Sequence, residues 1–230
     1  MLRESFDRDL QRLQDEVLAL GSMVEEAIIE SVESLKQRDR AKARRLIAQD
    51  RMFNEKRFAI EDDTLVLIAT QQPMAGDLRT LAAVLAIISE LERIGDYAKG
   101  IAKINLMIGE EPLIKPLVDI PRMAERARDM LHRALEAFVQ RDVDLACAIP
   151  DEDDEVDALY NQIYRELLSF IISDPNTIDQ ATYLLWVAHN LERAADRVIN
   201  ICERVVFTVT GKLVEMDVEE GETSCIESLG

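Results

Sequence analysis

Glycine, proline and aromatic residues are all scarce in this chain. Its 230 residues include 8 Gly and 6 Pro, and Phe, Trp and Tyr together make up 5%. Sandwiches and barrels need many turns and favour β-branched and aromatic residues, so this shortage argues against them and favours long helices. No apolar run approaches the ~20 residues that a membrane-spanning helix requires.

Basic residues and cysteine are also in short supply. Lys and Arg number 27 against 45 Asp and Glu, a formal net charge of −18. Such a charge excludes a general nucleic-acid binder, because those proteins neutralise phosphates. The N-terminus mixes charges of both signs without an apolar segment, which indicates no secretory signal. Three cysteines without a Cys-x-x-Cys pair indicate reduced thiols in a cytoplasmic protein.

Apolar residues recur at three- and four-residue spacing through most of the chain, which predicts amphipathic helices. A second helix is expected from about Asp39 to Thr70, and a third from about Ala75 to Met107, with Pro73 in the turn between them. Residues 109–116 contain one Gly and two Pro, and they form the best domain boundary in the chain.

The pattern after this boundary repeats the pattern before it. The tripeptide Gln-Arg-Asp at 37–39 returns at 140–142, and Leu-Glu-Arg-x-x-Asp at 91–96 returns at 191–196. The predicted fold is therefore all-α, with two tandem pseudo-repeat antiparallel three-helix bundles. The repeats span 1–108 and 117–212 and are joined by a linker at 109–116. The acidic tail at 213–230 is expected to be disordered.

Carboxylates interrupt the apolar pattern of two helices in each repeat. Asp50 and Asp153 hold matching positions in apolar tracks, where an isolated carboxylate needs a partner or a cation. The following helix of each repeat carries a Glu-x-x-x-Asp pair, whose side chains share one helix face and flank the apolar stripe. The candidate residues are Asp50, Asn54, Glu92 and Asp96 in the first repeat and Asp153, Asp157, Glu192 and Asp196 in the second.

Antiparallel geometry predicts that these side chains meet. Residues equally distant from the turn lie at one level of a helical hairpin, because both helices rise by ~1.5 Å per residue. Asp50 and Asp96 are equidistant from Pro73, and Asp153 and Asp196 from a point beside Pro175. Each repeat is thus predicted to gather oxygen ligands for a divalent or trivalent metal, with iron, manganese or magnesium favoured.

Three other interpretations remain open. The carboxylates could form a solvated face paired with Arg93 and Arg193. A ferritin-like di-metal oxidase would need Glu-x-x-His on two helices, and no such sequence aligns with either acidic pair. The chain could also be a purely structural bundle. His132 and His189 have no counterparts in the other repeat and are predicted to be surface residues.

Residues 72–79 (QPMAGDLR), 91–96 (LERIGD) and 189–201 (HNLERAADRVINI) resemble the PhoU family, and the resemblance covers both repeats. It implies metal clusters on the Glu-x-x-x-Asp motifs, matching Glu92 with Asp96 and Glu192 with Asp196. The acidic positions of the preceding helix match Asp50 and Asn54 in the first repeat and Asp153 and Asp157 in the second. Asn54 departs from a carboxylate, which removes one negative charge from the first cluster.

The same resemblance implies a regulatory function without catalysis. Proteins of this family are adaptors between the ATPase subunit of a phosphate ABC transporter and a membrane sensor histidine kinase. They keep the starvation response off when phosphate is plentiful, and they tend to be homodimers. The expected location is the cytoplasm, at the inner face of the membrane where these partners hold the protein.

Overall fold

The computed structural model describes residues 2–216 and Cys225, and its regular structure is helical. The second and third helices begin and end within one residue of the predicted positions. No helix in this part of the chain is long and apolar enough to cross a membrane. The helices are α1 (Leu2–Lys36), α2 (Arg40–Gln71), α3 (Ala75–Ile108), α4 (Asp119–Gln140), α5 (Val143–Ala148), α6 (Asp153–Ser173) and α7 (Ile178–Thr210).

These helices form the two predicted three-helix bundles. In the first repeat α1, α2 and α3 pack against one another, and in the second α4, α6 and α7 do so. Only the second repeat has a break in its middle helix, where α5 and α6 are separated by a 3₁₀ turn at Pro150–Glu152. Proline lacks a backbone N–H and fits the first turn of a helix, so it starts this turn instead of continuing α5.

The repeated Gln-Arg-Asp sequence builds the same turn in both bundles. Arg38 and Arg141 have positive φ angles of 60° and 57°, which end the preceding helix in the left-handed conformation. Asp39 and Asp142 then cap the next helix, because each carboxylate accepts a hydrogen bond from a backbone N–H three residues further on. One short motif thus ends one helix and begins another.

The apolar stripe of α3 lies in the core as predicted. Leu81, Val84 and Leu91 are completely buried, whereas Glu92 is half-buried and Asp96 is exposed. The two acidic residues therefore lie at the edge of the stripe, where Glu92 is partly shielded by the core and Asp96 is open to solvent. This position makes them able to meet side chains of the neighbouring helix.

The two bundles join mainly through α3 and α7, which run antiparallel. Asn200 donates a hydrogen bond to Oε2 of Glu90 over 3.3 Å, and Arg197 lies 3.5 Å from the same oxygen. Ten residues after Glu90 on α3 and ten before Asn200 on α7, the two helices meet again. There a Cβ atom on Gly100 would lie 3.4 Å from the side chain of Asn190. Since Glu90 and Asn190, and likewise Gly100 and Asn200, hold matching positions, an approximate two-fold axis relates the repeats.

One expectation about the cysteines was wrong. Cys147 and Cys225 form a disulfide, with their Cα atoms 5.7 Å apart, so these two are not reduced thiols. Cys202 is free and buried as expected, and burial raises the pKa of its thiol to about 12. The predicted disorder at 213–230 falls largely outside the described residues, since only 213–216 and Cys225 belong to them.

Candidate metal centre

The acidic cluster of the first repeat is held together by a lysine. Nζ of Lys99 donates hydrogen bonds to Oδ2 of Asp50 over 2.6 Å and to Oδ1 of Asp96 over 3.1 Å. The side chain of Asp50 is 13% exposed and that of Lys99 24%, so α2 and α3 largely shield the first bond. The hydrogen bond that Lys99 donates to Asp50 is the main cause that raises the pKa of Lys99, which stays protonated.

This bridge confirms the predicted level of the first cluster. A single ammonium group can touch both carboxylates only if Asp50 and Asp96 face each other across the hairpin. Nδ2 of Asn54 donates a hydrogen bond to the backbone carbonyl of Asp50 over 3.3 Å, a contact within α2. The first cluster therefore contains two carboxylates that share one ammonium group, which balances one of their two negative charges.

The second cluster contains a carboxylate, that of Glu192, whose pKa is shifted from its ordinary value. Burial raises the pKa of Glu192 above its ordinary value, and the negative charges of Asp196 and Asp157 raise it further. The positive charges of His189 and Arg193 act in the opposite direction. Asp157 on α6 therefore lies near enough to Glu192 on α7 for their charges to interact. This agrees with the prediction that the two residues, equally distant from the turn, lie at one level.

Basic groups beside this cluster belong to α7 itself. Nη1 of Arg193 donates a hydrogen bond to Oδ2 of Asp196 over 2.8 Å, and Nδ1 of His189 lies 3.1 Å from Oε2 of Glu192. Both basic side chains are exposed at their ends, His189 to 55% and Arg193 to 40%. The ring of Tyr160 lies next to His189, and burial together with the charge of Glu192 raises the pKa of this tyrosine.

The two clusters differ in how well they fit a metal ion. Within the described residues, no three His, Cys, Asp or Glu side chains converge closely enough to hold a cation as they stand. In the second cluster, however, Oε2 of Glu192 is buried and accepts no hydrogen bond there. A buried oxygen of this kind suits a cation ligand, because burial has removed its hydration and nearby positive charge stabilises it. In the first cluster Lys99 already places a positive charge between two of the candidate carboxylates.

Lys99 is the important residue that the sequence patterns missed. It lies three residues after Asp96, and the corresponding position of the second repeat holds Ile199, which is buried. Aligning the two repeats residue by residue would have exposed this difference. The predicted contact of Arg193 with a carboxylate is confirmed at Asp196. The metal-ligand role of all eight candidate residues, in both repeats, stays a prediction.

The two clusters lie at one level of the α3–α7 pair. The contacts between these helices place Asp96 opposite Ala194, two residues from Asp196. At ~1.5 Å per residue, the two aspartates are about 3 Å apart along the helix axis. The fold and this arrangement define a class: all-helical proteins of two repeats, with paired acidic clusters beside the junction of the bundles.

Comparisons with known proteins identify the family within that class. The family model described as the PhoU domain matches residues 17–104 and 120–205, so each repeat contains one domain. A relative from Clostridium acetobutylicum, named phosphate-specific transport system accessory protein PhoU homolog, is 36% identical over 94% of this chain and 100% of its own length. The chain belongs to the PhoU family.

Solved structures agree in fold. The crystal structure of the phosphate transport system regulatory protein PhoU from Streptococcus pneumoniae has a TM-score of 0.84 and 32% identity, covering 91% of this chain and 99% of that one. PhoU from Pseudomonas aeruginosa has the same TM-score of 0.84 and 29% identity, covering 90% of this chain and 100% of that one. Near-complete coverage of both chains shows that the similarity extends through both bundles.

Proposed function

We propose that this protein is a non-enzymatic accessory regulator of a phosphate-specific transport system. The observation that carries this proposal is the match of the PhoU domain to both repeats, together with relatives of that name along nearly their full length. A regulator is favoured over a di-metal oxidase for a local reason as well. The order beside the second cluster is His-x-x-Glu, from His189 to Glu192, whereas the oxidase motif is Glu-x-x-His.

The proposed action is that of an adaptor with negative effect. A homodimer of this chain contacts the ATPase subunit of the phosphate transporter and a membrane sensor histidine kinase, and it keeps the starvation response off in phosphate-rich medium. A net charge of −18 supports such docking, because an acidic surface accelerates and orients association with a basic one. The protein therefore acts in the cytoplasm at the inner face of the membrane.

The second cluster is proposed to bind a divalent or trivalent cation such as iron, manganese or magnesium. Asp153, Asp157, Glu192 and Asp196 would offer oxygen ligands from α6 and α7, and oxygen is the ligand that these cations prefer. The buried oxygen of Glu192 supports this assignment. When bound, the cation supplies positive charge to these carboxylates and links the two helices.

A clean deletion tests the regulatory proposal. A reporter of phosphate-starvation genes should be switched on in phosphate-rich medium in the deletion strain, and it should be silent again when the gene is restored. The purified protein should also retain the transporter ATPase subunit in a pull-down. Normal repression in a deletion strain that has no second copy of the gene would refute the proposal.

A further inference from the structure

The position of Lys99 resembles that of a bound ion. Its ammonium group lies between carboxylates of two different helices, 2.6 Å from Asp50 and 3.1 Å from Asp96. Most exposed lysine–carboxylate pairs are loose, but this lysine is only 24% exposed and bridges α2 to α3. Linking two helices through oxygen atoms is also what a metal ion does in a helical bundle.

The second repeat lacks this tethered cation. Ile199 takes the place of Lys99, and it is 4% exposed, so no ammonium group can reach the second cluster from that position. The basic residues of the second cluster, His189 and Arg193, lie on the same helix as the carboxylates that they contact. These two contacts therefore lie within α7, whereas the contacts of Lys99 join α3 to α2.

We propose that Lys99 is a permanent, covalently attached cation of the first cluster, which takes the place of a metal ion between Asp50 and Asp96. The chain consequently binds metal at the second cluster alone. This inference deepens the proposed function, because it rests on the proposal that the second cluster binds a cation. It makes Lys99 the residue that determines which of the two repeats is a metal centre.

Electrostatics explains why the lysine excludes a metal ion. A divalent ion beside the same oxygens would stand within a few Å of the ammonium group, and in a partly shielded site like charges repel strongly. The ammonium group has the further advantage of being attached to α3, since a tethered group competes at a high effective concentration. A metal ion would have to displace Lys99 and also lose part of its own hydration shell.

Titration with Mn²⁺ under metal-free starting conditions tests the proposal. Four proteins are needed: the parent, E192Q/D196N, Lys99→Ile in that double variant, and Lys103→Met in the same background. Lys103 is an exposed lysine one turn further along α3 and serves as the matched control. Calorimetry and metal analysis after gel filtration measure the bound Mn²⁺.

The parent should bind Mn²⁺, and the E192Q/D196N variant should lose this binding. Adding Lys99→Ile should restore binding, now at the first cluster, whereas adding Lys103→Met should not. Lys99→Met offers a second neutral substitution if isoleucine unfolds the bundle, and helical circular dichroism checks folding. Restored binding should disappear again when Asp96 is changed to Asn, which locates the new site.

Two results would overturn the proposal. One is Mn²⁺ binding by E192Q/D196N that disappears on adding D96N, because the first cluster would then bind metal despite Lys99. The other is a folded Lys99→Ile or Lys99→Met variant in the double background that still binds no Mn²⁺. The first result is measured on proteins that keep Lys99, so it does not depend on whether a lysine variant folds. A parent that binds no Mn²⁺ refutes the second site and with it the statement that the chain binds metal there. A gain of Mn²⁺ on replacing Lys99 then distinguishes this failure from a failure of the role given to Lys99.

Discussion

The two repeats carry acidic clusters on equivalent helices but balance the negative charge differently. In the first repeat one lysine of α3 joins Asp50 to Asp96. In the second, Glu192 is partly buried near Asp196 and Asp157, and its pKa is raised by burial and by those charges. The comparison teaches that a duplicated acidic motif need not keep the same electrostatic surroundings, because one neighbouring position holds Lys99 in the first repeat and the buried Ile199 in the second.

The middle helix is continuous in the first repeat and interrupted in the second. Introducing a proline into the continuous helix should give the largest loss of stability. Pro150 begins a 3₁₀ turn between α5 and α6, whereas its counterpart Ile47 lies inside the uninterrupted α2. Ile47→Pro should lower the free energy of unfolding by about 3 kcal/mol or more, because it removes a helical hydrogen bond and clashes with the preceding turn.

The reciprocal change, Pro150→Ile, is the matched control for this experiment. It should alter stability by less than about 1 kcal/mol, since proline at the first position of a turn forfeits no intrahelical hydrogen bond. Denaturant unfolding followed by circular dichroism measures both variants. Similar losses in the two repeats would show that the break in the second helix carries no structural meaning.

Removing each Glu-x-x-x-Asp pair should have opposite effects in the absence of metal. E192Q/D196N relieves repulsion in the second cluster and should melt at or above the parent. E92Q/D96N leaves Lys99 with only one of its two carboxylates. Its free energy of unfolding should therefore be lower than that of the parent by about 1 kcal/mol.

Added Mn²⁺ or iron then sharpens the same comparison. The parent and E92Q/D96N should gain about 2.7 kcal/mol at a hundredfold excess over the dissociation constant, because the metal binds only the folded state. E192Q/D196N should gain little. Thermal melts with chelator and with metal measure both effects. An equal response of all three proteins would mean that the carboxylates are a solvated face, as the first alternative interpretation holds.

Much of the fold could be predicted because its signals are local and repeated. The Gln-Arg-Asp motif appears twice in the sequence and builds the same left-handed turn with the same aspartate cap. Distance from the turn sufficed to pair Asp50 with Asp96 and Asp157 with Glu192, since helical rise is nearly constant.

The missing parts depend on helix rotation and on distant chain segments. Nothing local indicates that Lys99 turns towards α2 while the neighbouring Lys103 remains exposed. The disulfide joins Cys147 to Cys225 across 78 residues, and no spacing rule connects them. Composition was misleading here, because three cysteines in an acidic helical protein favour reduced thiols.

Core packing offers a smaller difference to exchange. Gly95 packs against the ring of Phe53, and a Cβ atom there would lie 2.8 Å from Cδ2 of the ring. The second repeat has Ala195 and Val156 in their places, so a larger residue on one helix accompanies a smaller one on the other. Gly95→Ala should destabilise by about 1 kcal/mol, because an overpacking cost of ~1–3 kcal/mol exceeds a helical gain of ~1 kcal/mol.

A double-mutant cycle with Phe53→Val tests whether the two positions compensate. The G95A/F53V protein recreates the pair of the second repeat, so it should be more stable than the sum of the single effects by about 1 kcal/mol. Ala195→Gly provides a control, with a loss of about 1 kcal/mol from helix propensity and a further loss from its buried methyl group. Additive single effects in urea unfolding would rule out compensation.

The smallest expected effect concerns pH and isolates the unbalanced charge of the second repeat. Glu192 is shielded on α7, with Asp157 and Asp196 raising its pKa above the ordinary 4.5 while His189 and Arg193 lower it. Between 4.5 and that raised pKa the folded protein binds more protons than the unfolded chain. The free energy of unfolding should therefore fall as pH rises through this interval. Once pH exceeds the folded pKa, the full penalty of the charged carboxylate remains.

Subtracting a Glu192→Gln variant reveals this contribution against the background of the other carboxylates. With chelator present, urea unfolding at several pH values from 4.5 upwards should show the parent losing stability relative to the variant as pH rises. The same subtraction with Glu125→Gln, an exposed residue of α4, corrects for the change in net charge. A flat difference, or one that rises with pH, would mean that the positive charges of His189 and Arg193 already balance Glu192. The second repeat would then, like the first, supply its own cations.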